Sequence, residues 1–157
     1  TDKSYANLEE ACLIRHFTEN LAPWVGLAIS RVLISSNGNI LLQFDTCDRD
    51  RHFELHVPQR AMFCPVLRYA VLTASAGHLI RMASCRGDSN AVAIDGIKLP
   101  RITIDAVVHY HDTCISYLLE LSKDPNEQYN EDVLTAATIL RFYEQIDGQS
   151  PALYLSH

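Results

Sequence analysis

The sequence predicts an all-α protein built from stacked helical hairpins, and three observations predict it. Apolar residues recur with the helical period in four separate stretches. Short runs of helix-breaking residues separate several of these stretches, which is typical of neighbouring antiparallel helices. The composition is 48% apolar and only 20% charged, as expected for a globular chain of 157 residues. We therefore expect one helical unit over residues 1–157.

The first predicted helix runs from Tyr5 to Trp24. Ile14, Phe17 and Leu21 lie with Trp24 on one stripe of a 3.6-residue period, so this stripe is expected to face the core.

A segment that does not fit the helical pattern follows, from Val25 to Gln43. Two β-branched and leucine-rich runs, 32–34 and 40–42, flank Asn37-Gly38, the strongest short-range signal for a β-hairpin. The sequence therefore predicts a β-hairpin-like insertion at 25–43 within a helical chain.

The remaining helices are predicted from caps and periodicity. A short helix is expected over 49–55, and longer ones over 65–81, 104–122 and 131–146, with Asn130 as the N-cap of the last. The turn-forming stretch 86–99 is expected to be a connection. The helix at 104–122 carries apolar residues on two stripes, one with Val108 and Leu119 and one with Tyr110 and Cys114, so we expect neighbours on both faces.

Charge and cysteine content exclude some functions. The formal net charge is −6 and the basic residues are scattered, which argues against a chain that binds nucleic acid on its own. The five cysteines show no C-x-x-C spacing, so we expect reduced cysteines packed as small apolar residues.

Two clusters resemble metal sites without meeting their requirements. His109 and His111 are two residues apart and point about 200° apart on a helix, so they cannot share one ion, and His111 with Cys114 supplies only two ligands. Asp45, Asp48 and Asp50 resemble part of a calcium loop. Counted from Asp48, however, its glycine and glutamate positions hold other residues, and the cluster is better suited to capping a helix.

The motifs G-x-S-x-G, H-E-x-x-H, Walker A and G-x-G-x-x-G are all missing from the sequence, so we do not expect an enzyme. One alternative stays open. It is a small helical ligand-binding protein or hydrolase that uses the His109, His111 and Cys114 cluster or the aspartate cluster at 45–50.

Four blocks in order, 11–24, 44–61, 64–82 and 110–147, resemble the fungal-specific transcription factor domain that follows Zn(II)2Cys6 clusters. Together they hold 89 of the 157 residues, somewhat more than half of the chain. The residues that match the pattern of this family include Pro23-Trp24, followed by Phe44 with Asp-x-Cys-Asp, then His52-Phe53 and Val57-Pro58.

The resemblance implies an all-helical regulatory domain of a nuclear transcription factor that regulates RNA polymerase II, with this chain covering its N-terminal part. In that family a separate six-cysteine module binds zinc and DNA, so no cofactor is expected in this chain, and DNA would be contacted only through that module. The expected partners are the remainder of the domain, a second copy or a coregulator, with no membrane contact.

In the family pattern Trp24 and Phe44 are neighbours, which makes 25–43 an insertion. An intron begins with GT and ends with AG. The codon of Val25 begins with GT, and a codon for Gln43 can end in AG. We therefore interpret this segment as a retained intron, with a genuine loop or hairpin insertion as the alternative.

No catalytic, cofactor-binding or metal-binding residue is predicted. The residues expected to matter are structural anchors: Trp24, Phe44, His52, Phe53, Pro58, Pro65, His78, Tyr110 and His111.

Overall fold

A computed structural model describes residues 2–26, 52–85, 92–127 and 130–148, and most of these residues are helical, which confirms the predicted all-α class. The helices are α1 (Asp2–His16), α2 (His52–Leu55), α3 (Val57–Ala61), α4 (Pro65–Cys85), α5 (Ile104–Ser122) and α6 (Glu131–Gly148). The strands are β1 (Ala93–Ile94) and β2 (Ile97–Lys98). A π-helical turn, Phe17–Leu21, follows α1, and residues 22–26 continue as α-helix.

The π-helical turn changes which side chains face the core. Phe17 and Leu21 are buried as predicted, but Trp24 is 64% exposed and Val25 is fully buried instead. The backbone N–H of Ala22 donates to the carbonyl of Phe17, five residues back. The wider turn adds one residue and rotates the following residues by about 100°. The predicted inward position of Trp24 is therefore wrong, because the sequence analysis assumed an uninterrupted α-helix.

Two helices begin at capping side chains. The Thr103 hydroxyl accepts a hydrogen bond from the backbone N–H of Ala106 at 3.2 Å and starts α5. The Asn130 side-chain oxygen accepts from the backbone N–H of Asp132 at 2.9 Å and starts α6. These contacts satisfy backbone donors that lack partners at a helix start. The prediction of Asn130 as N-cap is confirmed.

The described hairpin is not the predicted one. Ala93 pairs with Lys98 and Ile94 with Ile97, around Asp95-Gly96, in the stretch predicted to be a connection. Both turn residues have positive φ, 50° and 80°, as a tight two-residue hairpin turn requires. The hairpin predicted at 25–43 lies outside the described residues, apart from Val25 and residue 26, which are helical.

Helix α4 lies at the centre of the packing because it contributes to two apolar clusters. One joins α4 to the π-helical turn, α2, α3, α5 and α6; the other joins it to α1, the start of α5 and the segment before α5. Val66 near the start of α4 contacts Cys114, whereas Leu79 near its end clusters with Val107, so α5 runs antiparallel to α4. Helix α6 runs parallel to α4, since Arg81 reaches the carbonyl of Ile146.

Helix α5 is buried mainly along one stripe in the part of the chain that the structure describes. Cys114 is fully buried on this stripe, but Leu119 is 60% exposed and Val108 is also exposed. The prediction that α5 has neighbours on both faces is met only in part. On the outer stripe Ile115 and Leu118 pack against the larger apolar cluster, whereas the ends stay open because α6 packs mainly on α4.

Candidate functional site

The predicted anchors on the first half of the chain have different surroundings. Phe53 is buried in the larger apolar cluster, whereas Trp24 is exposed. Phe44 lies outside the described residues, and His52 is the first residue of α2.

Pro58 and Pro65 lie in the first turns of α3 and α4. A proline is tolerated there because the missing N–H would have no partner within the helix. Pro65 is exposed, so its contribution is to the helix start.

Tyr110 has a packing role. Its half-buried ring lies 6.2 Å from the ring of Tyr69, which also stacks on Tyr117 at 5.9 Å. Burial, with smaller effects of Glu10 and Glu9, raises the pKa of the Tyr110 hydroxyl, so the phenol is held neutral.

Cys114 is not placed as a reactive thiol. It is fully buried, and its thiol donates a weak hydrogen bond to the carbonyl of Val66 at 3.5 Å. Burial raises the pKa of Cys114 to about 12. A nucleophile or metal ligand has to be a thiolate, and this environment strongly disfavours one.

His109 and His111 have different surroundings again. Nε2 of His111 lies 3.1 Å from Oε1 of Glu144, a contact between α5 and α6, while His109 is exposed. The three residues of the alternative cluster therefore do not share a contact: His111 contacts Glu144, Cys114 contacts Val66, and His109 is exposed. The aspartates at 45, 48 and 50 lie outside the described residues. Within the described ranges, no three His, Cys, Asp or Glu side chains lie close enough together to hold a metal ion.

A pair of histidines, the buried His16 and the half-buried His78, connects α1 to α4. Nε2 of His16 lies 2.9 Å from Nδ1 of His78, and the two rings stack with centroids 5.2 Å apart. Nδ2 of Asn20, in the π-helical turn, lies 3.1 Å from Nδ1 of His16 and 3.3 Å from its carbonyl oxygen. We call His16, Asn20 and His78 the histidine cluster.

The histidine cluster disfavours charge. Burial, and next the neighbouring His78, lowers the pKa of His16 to about 4. Burial, and next the charge of Arg81, lowers the pKa of His78. Both imidazoles are therefore neutral at pH 7.

The sequence predicts only some of the contacts in this cluster. His78 was named as an anchor, and His16 and Asn20 are four residues apart on a helical stretch, a spacing that brings side chains together. The contact between His16 and His78 joins residues 62 positions apart, and no local pattern indicates it.

A groove of about 580 Å³ runs between α5 and α6. It exists because both helices pack more extensively on α4 than on each other. The apolar residues along it are Ile115, Leu118, Ala137 and Leu140, and the polar ones are Arg141, Glu144 and Gln145. The contact between His111 and Glu144 connects the two helices at one end of the groove. A long open trough of this kind suits a peptide or a helix better than a small molecule.

No helix among the described residues is both long and apolar enough to cross a bilayer. Comparisons with protein-family models, curated proteins and solved structures found no match to this chain.

Proposed function

We propose that this chain is a helical regulatory and protein-interaction domain of a fungal Zn(II)2Cys6-type transcription factor. In this proposal it acts in the nucleus on RNA polymerase II transcription, through contacts with the remainder of its domain, a second copy or a coregulator. DNA is contacted through a separate zinc module, and the chain itself is not an enzyme.

The regulatory part of the proposal is supported by the four sequence blocks and by the helices they occupy. Block 11–24 coincides with the end of α1 and the turn after it, block 64–82 with α4, and block 110–147 with α5 and α6. The described part of block 44–61 forms α2 and α3. An all-helical chain is what the resemblance implies.

The interaction part of the proposal is carried by one observation, the groove between α5 and α6. The apolar residues of the groove adjoin Val108 and Leu119, which are exposed on the same side of α5. Among the described residues, no element covers this side of the helix. Apolar surface flanked by charged residues is typical of protein contact sites.

A reporter assay tests the proposal. The whole chain is fused to an unrelated DNA-binding domain and expressed in a fungal cell that carries the matching reporter gene. We expect reporter transcription to change at least about threefold relative to the DNA-binding domain alone, in either direction, because a bound partner would be brought to the promoter.

The groove is tested in the same assay with Ala137→Arg. Ala137 is exposed and lines the groove, so arginine fills the groove without entering the core. We expect this variant to lose the reporter change. Ala11→Arg, the same change at an exposed position of α1, is the matched control and should keep it. A fusion that leaves transcription unchanged at normal protein level contradicts the regulatory function. A change that Ala137→Arg does not affect contradicts the role of the groove.

A further inference from the structure

We propose that the histidine cluster is a proton-operated latch that fastens α1 to α4 at neutral pH and loosens this attachment in mild acid. The inference does not depend on the proposed function, since it rests on the geometry of His16, Asn20 and His78 alone.

The hydrogen bonds of the cluster fix where its protons are. Nδ2 of Asn20 contacts the carbonyl oxygen of His16, which can only accept, so this atom is the amide nitrogen and donates. The same nitrogen contacts Nδ1 of His16, which must therefore accept. His16 then carries its proton on Nε2 and donates it to Nδ1 of His78.

An additional proton has no suitable place in this chain of donors. On Nδ1 of His16 it would face the amide N–H of Asn20, and on Nδ1 of His78 it would face the N–H of His16. Reversing the chain requires Asn20 to turn its amide, which places its oxygen against the His16 carbonyl. Each way of charging the pair therefore breaks a hydrogen bond that holds α1 to α4 or to its own turn.

The surroundings do not compensate for the added charge. Glu19, on the π-helical turn, favours the charged form of His16, but its effect on the pKa is smaller than that of burial and of His78. Arg81 on α4 acts against charge on His78. The charged and titratable groups lining the crevice beside His78 are Arg81 on α4 and Tyr143 and Asp147 on α6.

The latch lies where α1 is easiest to release. His16 immediately precedes the π-helical turn and Asn20 lies in it, a segment with wider and less regular hydrogen bonding than an α-helix. Leu13 of α1 and Phe17 of the π-helical turn are buried in the core on either side of His16. Protonating one imidazole brings two N–H groups face to face between α1 and α4. When α1 moves away from α4, both imidazoles return to water.

The sign of the effect follows from proton binding. His16 has a pKa of about 4 in the closed state and about 6.5 when exposed, so the open state binds the proton more tightly. Lowering the pH through this interval therefore favours opening. For His16 alone, the opening equilibrium rises about twentyfold between pH 7 and pH 5.

Amide hydrogen exchange of the whole chain measures this opening. After correction for the intrinsic pH dependence of exchange, we expect the amides around Leu13 and Phe17 to exchange about twentyfold faster at pH 5 than at pH 7. Amides of α6 such as Ile139 should change much less, because this helix does not carry the latch.

Two variants separate the latch from a general acid effect. His16→Gln keeps a side-chain donor for His78 but cannot be charged, and should remove the acceleration in α1. His111→Gln makes the same change at the contact with Glu144 between α5 and α6, and should retain it. Equal acceleration in wild type and His16→Gln would overturn the proposal.

Nitrogen NMR of the wild-type imidazoles gives a readout that needs no variant. We expect His16 and His78 to be neutral and protonated on Nε2 at pH 7, and charge on His16 to appear together with loss of protection in α1. A charged His16 within a fully protected α1 would overturn the latch.

Discussion

At the scale of single residues, the contact between α4 and α6 at Gly77 depends on the absence of a side chain. Gly77 lies in α4 beneath the ring of Tyr143 from α6, and a Cβ atom at Gly77 would overlap with that ring. A glycine inside a helix normally weakens the helix by about 1 kcal/mol relative to alanine. Gly77 therefore weakens helix α4 by itself, but it allows α4 and α6 to approach each other closely.

Replacing Gly77 by alanine tests the packing, because the sign of the change in the free energy of unfolding depends on Tyr143. We expect Gly77→Ala to lower the free energy of unfolding by about 1–3 kcal/mol, because the Tyr143 ring must move out of a packed interface. In a Tyr143→Ala background the same substitution should become neutral or stabilising by up to about 1 kcal/mol, since only the helix propensity remains. Urea denaturation of the four proteins measures both values. A destabilisation of equal size in both backgrounds would show that Tyr143 is not the cause.

The burial of Cys114 makes a chemical prediction. With its pKa raised to about 12 and no exposed surface, Cys114 should react with iodoacetamide at pH 8 at least about a hundredfold more slowly than the partly exposed Cys64. Peptide mapping by mass spectrometry after timed labelling of the native chain measures the two rates. In denaturant the two cysteines should react alike, and rapid native labelling of Cys114 would contradict the described packing.

At the scale of elements, the π-helical turn carries the most information. Leu13 and Phe17 are buried before the turn, and Leu21 and Val25 are buried after it. The two pairs are one residue out of register with a regular α-helix, and the extra residue of the π-helical turn brings both to the same side. A straight α-helix would place positions 20 and 24 inward instead.

Deleting one residue from the turn should therefore be tolerated. Without Glu19, which is exposed, the turn can close as an ordinary α-helix while the stripes on both sides keep their directions. We expect a loss of no more than about 1–2 kcal/mol in the free energy of unfolding, from the ion pair with Arg15 and from local rearrangement.

A deletion of Asp112 is the control for that experiment. Asp112 is also exposed, but it lies within the regular helix α5, where a deletion rotates every following residue by about 100°. We expect this variant to lose cooperative unfolding. Similar stability of the two deletion variants would mean that the turn has no special tolerance.

The helices themselves could be predicted from sequence, whereas their contacts could not. The bounds of α5 and the cap at Asn130 follow from local rules, because apolar periodicity and capping act within a few residues. The π-helical turn and the contact between His16 and His78 depend on how α1 meets α4, which involves residues far apart in the chain. The exposed face of α5 was missed for the same reason, since periodicity shows that a stripe is apolar but not what covers it.

At the scale of the whole molecule, the helical residues 22–26 run across the junction between Trp24 and the segment 25–43. Val25 is fully buried in the larger apolar cluster, and it directly follows Trp24, the last residue before the segment. If residues 25–43 are removed, Phe44 takes the position of Val25 in the chain. An apolar residue therefore stands at this core position with or without the segment.

The retained-intron hypothesis predicts that a chain without residues 25–43 folds as well as the longer one. We expect cooperative thermal unfolding of the shortened chain at about the temperature of the longer one, measured by circular dichroism, since an apolar side chain, Phe44, would follow Trp24 in place of Val25. Sequencing of the spliced transcript is the genetic counterpart. A dominant message that retains the segment would contradict the hypothesis, as would a shortened chain that fails to fold.

The shared use of α4 by both apolar clusters determines how the molecule denatures at neutral pH. Neither cluster can be dismantled without removing half of the support of α4, and a helix of 21 residues has little stability in water without such support. The two clusters should therefore melt in a single transition. Far-ultraviolet dichroism, which follows the helices, and the near-ultraviolet signal of the tyrosines around Tyr69 should report the same midpoint. We therefore expect the bundle to unfold as one thermodynamic unit, although its apolar side chains form two groups.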